Sequence, residues 1–233
     1  NSADQDSLQF LKDWGGVWAE YGGNPAMSEW TTLRNFITGN NMAVQSNYDY
    51  ADSLLSVKSF VDYFFINTVV VCKDWLNWNT AWWRGKQAKS DNKKWRYALW
   101  DVDATFDHYV NYTGIPSSSA NANPCNTQNL NPPGGDEGHL AILNALMANP
   151  GFKQYYVMRY FDLMNSGLSC NRMVTVFDSM ITVITPEMPA QITSWNSFTP
   201  GRNMTELQQN VQDMRNFILA RCTAIVNTYT PCN

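Results

Sequence analysis

Apolar residues recur every three or four positions along several stretches of this chain, a spacing that places them on one face of an α-helix. The pattern over 57–74 predicts a buried core helix that ends near Asp74. Further helices are predicted over 6–21, 26–38, 139–147, 149–165, 173–184 and 205–225. Residues typical of helix ends match these bounds, with Ser28 and Thr205 as N-caps, Gly39 and Gly167 after the last turns, and Pro186 as a stop.

Two short aromatic-rich segments, 80–84 and 95–100, depart from the helical spacing and predict two β-strands. The lysine-rich segment 85–94 between them predicts the connecting turn of a hairpin. The segment 40–49 is polar and is predicted to be rich in turns. The predicted fold class is therefore mainly α with a small β-hairpin.

The length of 233 residues is enough for a substantial core, and we expect a single domain over 1–233. Its predicted parts are a helical lead-in (1–50), a segment with the candidate chemistry (51–110), a polar loop (111–138) and a helical bundle (139–233). The loop is rich in Ser, Asn, Pro and Gly, and it follows directly after an acidic pair. Such a loop either lines one side of the functional site or lies on the surface without a role in it.

The net charge and the apolar stretches of the chain argue against nucleic acid and against a membrane span. A net charge of -4 gives no basic footprint, which argues against nucleic acid as the main partner. No stretch reaches the roughly 20 apolar residues that cross a bilayer, so no membrane span is predicted.

Five cysteines allow two disulfides and one free thiol, and none shows C-x-x-C metal spacing. A bridge between Cys170 and Cys222 is possible, while Cys125 and Cys232 lie in polar stretches typical of secreted proteins. Cys72, inside an apolar stretch, is predicted to be a buried reduced thiol. These features favour an extracytoplasmic location, secreted or at the cell surface.

The candidate chemistry begins with Asp74 and Asn79, which form D-x-x-x-x-N. In a kinase catalytic loop of this spacing, the Asp orients the substrate hydroxyl and the Asn holds a metal ion. Asp101 and Asp103 follow the second predicted strand, where a kinase places a metal-binding Asp. The loop, the hairpin and the acid therefore follow one another along the chain in the order found in kinases.

Other readings of these residues stay open at this point. Spacing alone leaves Asp74 as a solvated loop residue and the acidic pair as a solvated strand end, and Asn77 is a rival to Asn79. Two carboxylates so close repel unless a cation neutralises them, and either Mg²⁺ or Mn²⁺ with ATP phosphates or a structural Ca²⁺ fits. His108 and His139, the only histidines, are expected to be satisfied polar residues.

The residues that carry the chemistry resemble a known family. The pattern F-x-D-Y-F-x-x-N, then a lone Asp in a polar loop, then K-W-R-Y-x-x-W-D-V-D-A-T-F is similar to the CotH kinase family of atypical secreted or spore-coat kinases. The likeness extends through NPGFKQYYVMRYFDLMNSGLS and the last helix, over most of 52–225.

The resemblance implies a kinase-like C-terminal lobe that transfers the γ-phosphoryl group of ATP to a protein hydroxyl. Asp74 would be catalytic, Asn79 and Asp101 would bind the cofactor ATP through Mg²⁺ or Mn²⁺, and Asp103 would assist, with the order of Asp101 and Asp103 open. The implied partner is a protein substrate.

The resemblance also implies an N-terminal lobe with a Gly-rich loop and a lysine for the phosphates, and neither is recognisable here. We therefore expect a lobe supplied by the same or a companion chain, and little ATP turnover by these residues alone. The alternative function is a non-catalytic surface module that binds a receptor. A carbohydrate-active domain, suggested by ten Trp and paired acids, is a weaker alternative because D-x-D is a poor match to glycosidase geometry.

Overall fold

The structure, a computed structural model, describes residues 7–86, 93–107, 120–125, 137–196, 198 and 201–226. The strands are β1 (Leu8–Asp13), β2 (Val17–Tyr21), β3 (Thr80–Gly85) and β4 (Arg96–Leu99). The helices are α1 (Gly23–Gly39), α2 (Gln45–Leu54), α3 (Val57–Val69), α4 (His139–Leu146), α5 (Pro150–Met164), α6 (Cys170–Ile184), α7 (Met188–Trp195) and α8 (Met204–Val226). The described part is mainly helical with one small antiparallel sheet, so the predicted fold class is confirmed.

The sheet contains four strands in the order β2-β1-β3-β4, all antiparallel. The predicted hairpin is present as β3 and β4, in which Thr80 pairs with Leu99. The first strand pairs Asp13 with the same Thr80, so β1 lies along the hairpin. Much of the predicted turn (87–92), most of the polar loop and His108 lie outside the described residues.

The helical lead-in predicted for 1–50 is wrong at its start, because 6–21 contains a β-hairpin instead of a helix. Burial alternates along β1, with Gln9, Leu11 and Asp13 inside, which is the period of a strand. The chain reverses at Gly15, whose φ of 74° favours glycine. The apolar spacing that predicts a helix over 6–21 runs across this glycine turn, where no helix can continue.

The next part of the lead-in is helical, but with other bounds. The predicted helix over 26–38 is present as α1, which begins at Gly23, so Ser28 lies inside the helix and is not its N-cap. The supposedly turn-rich segment 40–49 contains the start of α2. This helix buries only Ala51 fully, so it had little apolar pattern from which to predict it.

Three later helix ends also differ from prediction. The core helix α3 ends at Val69, five residues before Asp74, because Val71 has a φ of 53° that no helix allows. Pro186 stops α6 only briefly, since a 3-10 turn leads directly into α7. The last helix is capped by Asn203, whose Oδ1 accepts from the Glu206 N–H at 3.0 Å, and Thr205 lies inside it.

The helices α4 and α5 are confirmed close to their predicted bounds. The side chain of Asn149 caps α5 by accepting from the N–H groups of Gly151 (2.9 Å) and Phe152 (3.0 Å). Proline at the first position of α5 needs no hydrogen-bond partner there. These end signals act locally, which is why the sequence predicts them well.

The centre of the core is formed by α3, whose aromatic side chains are almost fully excluded from solvent. Phe65 contacts the rings of Tyr156 and Tyr160 of α5, with centroids 4.3 and 5.3 Å apart. Phe60 contacts Tyr97 of β4 at 5.1 Å. The helix therefore packs against both the sheet and the C-terminal helices.

The cysteine predictions hold where the structure describes them. Cys170 and Cys222 form a disulfide between α6 and α8, and Cys125 is also disulfide-bonded. Cys72 is a free, buried thiol. Among the described residues, no helix combines the length and apolar character that crossing a membrane requires.

Replacing Trp30 tests the packing between α1 and the sheet. Its ring is 3% exposed and contacts Trp82, Trp95 and Tyr97, with centroids 5.2, 5.6 and 6.2 Å away. We expect Trp30→Ala to lower the free energy of unfolding in urea by about 3–5 kcal/mol, because a cavity replaces these contacts.

Trp195, which is 55% exposed, supplies the matched control. Trp195→Ala is expected to cost less than about 1 kcal/mol in the same titration. Equal losses for the two variants would contradict the assignment of Trp30 to the core.

Candidate active site

Two loop segments far apart in sequence are joined by backbone hydrogen bonds. The first, 70–79, follows α3, and the second, 101–107, follows β4. The Lys73 N–H donates to the Ala104 carbonyl at 2.8 Å, and the Phe106 N–H donates to the Val70 carbonyl at 2.9 Å. These bonds bring the candidate residues of both loops to one side of the sheet.

Asp74 and Asn79, predicted from their spacing, are in direct contact. The Asn79 Nδ2 donates to the Asp74 Oδ2 at 2.8 Å. Asn79 immediately precedes Thr80, whose partner in β4 is Leu99, so Asn79 lies across from the start of the second loop. The hairpin thus carries Asn79 and Asp101 from its two strand ends to the same edge of the sheet.

The other end of the Asn79 amide has no partner among the residues that the structure describes. Asn79 is 4% exposed, and its Oδ1 is buried without a hydrogen bond to any described residue. An unpaired buried carbonyl oxygen is costly, and such groups mark sites where a ligand or ion completes the coordination. Asn77 is buried too, but its backbone carbonyl accepts from the Gly15 N–H at 2.7 Å, which ties it to the β1–β2 turn.

The charges of the acidic pair act on Asp74. Burial raises the pKa of the Asp74 carboxyl, the hydrogen bond from Asn79 lowers it, and the charges of Asp101 and Asp103 raise it further. The same three carboxylates act on Cys72, a buried residue of the first loop. Burial first, and then these charges, raise the pKa of that thiol to about 12, so it stays protonated and inert at neutral pH.

Both loops hold backbone in an unusual conformation. Of the seven described non-glycine residues with positive φ, six lie in these loops: Val71, Leu76, Asn79, Asp101, Phe106 and Asp107. Left-handed backbone costs a non-glycine residue about 1–3 kcal/mol, and it persists only where the surroundings enforce it. Strain concentrated around Asn79 and Asp101 is typical of a functional site.

Sequence reasoning missed a salt bridge between the two loops. Lys73, nearly buried, pairs with the more exposed carboxylate of Asp107 and so adds a side-chain link to the backbone bonds. Thr80 was also missed. Its hydroxyl lies within hydrogen-bond distance of the carbonyls of Leu76 (3.1 Å) and Trp78 (3.2 Å), and these contacts stabilise the conformation of the first loop. The only sequence signal was the position of Lys73 beside Asp74.

The donor atoms present suit a hard divalent cation. Carboxylate and amide oxygens are the ligands that Mg²⁺ and Mn²⁺ prefer, and the Asn79 Oδ1, buried without a hydrogen bond to any described residue, is an oxygen of this kind. No group of three or more His, Cys, Asp or Glu side chains is placed to hold a metal in the part of the chain that the structure describes. Mg²⁺ in phosphate-binding sites uses one or two protein ligands and completes its shell with waters and phosphates.

The remaining candidates from sequence are structural where they are described. His139 is fully buried, its Nδ1 lies 2.6 Å from the Tyr97 hydroxyl, and its ring packs against Trp82. Trp82 is fully buried and Trp83 half-buried, so the hairpin aromatics serve mainly as core.

A mainly helical lobe in which an Asp–Asn loop and a strand-end acid meet across a hairpin is kinase-like in class. The comparison with protein families agrees: the CotH kinase protein family matches residues 4–225, and the chain belongs to that family. The match begins before the 52–225 range of the predicted likeness and takes in the strands β1 and β2. No curated protein and no solved structure matches the chain. Membership of a kinase-like family points to nucleotide and metal use in general terms.

The raised pKa of Asp74 predicts that removing its charge stabilises the protein. A carboxyl whose pKa is above its ordinary 3.8 destabilises the folded state when ionised, so stability falls as pH rises through the folded pKa. We expect Asp74→Asn to raise the melting temperature at pH 7, and the gain to shrink as pH falls towards 3.8.

Asp62 offers a control whose replacement should change the melting temperature in the opposite direction. Its carboxylate accepts two hydrogen bonds from Arg159, at 2.6 and 3.0 Å, which favour the charged form. Asp62→Asn is expected to lower the melting temperature at pH 7. A melting temperature lowered by Asp74→Asn as well would mean that Asp74 has a structural role.

Proposed function

We propose that this chain supplies the catalytic loop and the metal-binding residues of a secreted protein kinase, which transfers the γ-phosphoryl group of ATP to a protein hydroxyl. The observation that carries the proposal is the amide of Asn79, which donates to Asp74 and keeps its buried oxygen free of hydrogen bonds to the described residues. The Asn79 side chain thereby connects Asp74, which would orient the hydroxyl nucleophile, to the position where a cation would bind.

Asp74 orients the acceptor hydroxyl and receives its proton. The hydrogen bond from Asn79 fixes one carboxylate oxygen and leaves the other for the substrate. Burial and the neighbouring acids raise the pKa of Asp74, which makes it a better proton acceptor than an ordinary aspartate. Positioning is still its larger contribution, because phosphoryl transfer asks little of a base.

Asn79 and Asp101 would hold Mg²⁺ or Mn²⁺, with Asp103 assisting. Such a cation, when bound, would supply neutralisation of the charge on the ATP phosphates. Asp101 is exposed and has a φ of 52°, so its carboxylate is carried by a strained backbone and is open to solvent. Asp103 sits one residue before Ala104, which is bonded to Lys73, and this keeps the second acid near Asp74.

Turnover also needs a lobe that covers the phosphates, in the same or a companion chain. The disulfides at Cys125 and between Cys170 and Cys222 support an oxidising, extracytoplasmic setting. The expected partner in that setting is a protein substrate.

Asp101→Asn tests the metal role. We expect it to lower Mg²⁺- or Mn²⁺-dependent phosphoryl transfer at least about 100-fold, because charge stabilisation dominates this chemistry. Isothermal titration with ATP, with and without the metal, should show that the metal-dependent part of binding is lost. Asp103→Asn should have the smaller effect.

Asp62→Asn, which alters an ion pair to Arg159, controls for the loss of one carboxylate outside the site, on α3. Near-normal transfer by Asp101→Asn and by Asp74→Asn would refute the assignment. A wild-type protein with no metal-dependent ATP binding would favour the surface-module alternative.

A further inference from the structure

Arg221 of α8 is a fully buried guanidinium that holds the end of α3. Its Nε donates to the Val69 carbonyl at 2.8 Å, and its Nη2 donates to the Thr68 carbonyl at 2.9 Å. Its Nη1 donates to the carbonyls of Ala120, at 3.0 Å, and of Ala122. One side chain therefore joins α8, the last turn of α3 and the segment 120–125.

The end of α3 needs such a partner. The last carbonyls of a helix have no partner within the helix, and they carry the negative end of its dipole. This helix has no basic residue in its own last turn, and Val69 is fully buried. The planar fork of an arginine satisfies several carbonyls at once and brings the positive charge that the helix end lacks.

The candidate active site starts from this same turn. The Cys72 N–H donates to the Asn67 carbonyl at 2.8 Å, and the Val70 carbonyl accepts from Phe106 of the second loop at 2.9 Å. Between them, Val71 has a φ of 53°, which is a strained conformation for a β-branched residue. A shift of the α3 end therefore moves both loops, and relaxation at Val71 is the nearest source of such a shift.

The helix that carries Arg221 is itself anchored. The next residue, Cys222, is bonded to Cys170 of α6. One helical turn to each side, Ile218 and Ile225 are 1% and 2% exposed. Arg221 is therefore carried by a helix that is itself held in place, and its buried side chain does not reach a substrate.

We propose that Arg221 is a positioning residue for the active site, holding the carbonyl end of α3 so that the 70–79 loop presents Asp74 and Asn79 in a working geometry. The catalytic consequence rests on the function proposed above, whereas the structural consequence does not.

Arg221→Gln and Arg221→Lys test the proposal through two readouts. In hydrogen–deuterium exchange, Arg221→Gln should speed exchange over 66–79 by at least about tenfold relative to α5, because local opening becomes easier there. In transfer assays, kcat should fall about tenfold or more while the KM for ATP stays within about threefold, because displacement of Asp74 harms alignment more than binding. Arg221→Lys should recover part of both, since a lysine still places charge at the helix end.

Arg215 is a matched control on the same helix. It makes a bidentate ion pair with Asp178 of α6, at 2.9 and 3.1 Å, and is therefore bonded to α6 instead of α3. Arg215→Gln should leave the exchange of 66–79 and kcat unchanged. If Arg221→Gln does not fold, the exchange and kcat of Arg221→Lys, compared with wild type, carry the test alone.

The outcomes separate the two proposals. Faster exchange over 66–79 in a protein whose wild type transfers no phosphoryl group even when the lobe that covers the phosphates is supplied would keep the positioning role and remove the kinase function. Unchanged exchange and unchanged kcat in Arg221→Lys and any folded Arg221→Gln would overturn the positioning role and leave the kinase function intact. Equal acceleration in α5 would also overturn it, because the effect would then be general loss of stability.

Discussion

A helix that ends inside a protein must find partners for its last carbonyl groups, and α3 ends in the core of this one. Here the partners are a guanidinium from α8 and the backbone of two loops. The same bonds that satisfy the helix end also fix where Asp74 and Asn79 emerge. Stability of the core and geometry of the site are thus set by one group of hydrogen bonds.

The site is less stable than its support. Asp74 is partly buried beside two other acids, Asn79 has a buried oxygen without a hydrogen bond to the described residues, and both loops hold left-handed backbone. Each feature costs free energy in the folded protein, and the sheet, α3 and α8 offset that cost. A bound cation would relieve two of the three, because it neutralises the acids and completes the coordination of Asn79.

Local signals predicted much of the architecture. Helices α4 and α5 are bounded by residues such as Asn149 that act on their immediate neighbours. The hairpin of β3 and β4 was also foreseen, and the disulfide between Cys170 and Cys222 is a pairing that the sequence left possible. The strands β1 and β2 were missed because β1 is stabilised by pairing with β3, about 70 residues away, and helical spacing arose by chance across Gly15.

The sequence by itself determined the residue types of the site and their order, because chemistry and spacing are properties of the chain. It predicted Asp74, Asn79, Asp101 and Asp103 as site residues, and it carried the family resemblance that the comparison confirmed. Only the tertiary structure decided that Asp74 and Asn79 bond to each other, that Lys73 and Asp107 join their loops, and that Arg221 holds them from behind. These contacts join residues up to 153 positions apart, and such contacts are set by how whole elements pack, which no local pattern encodes.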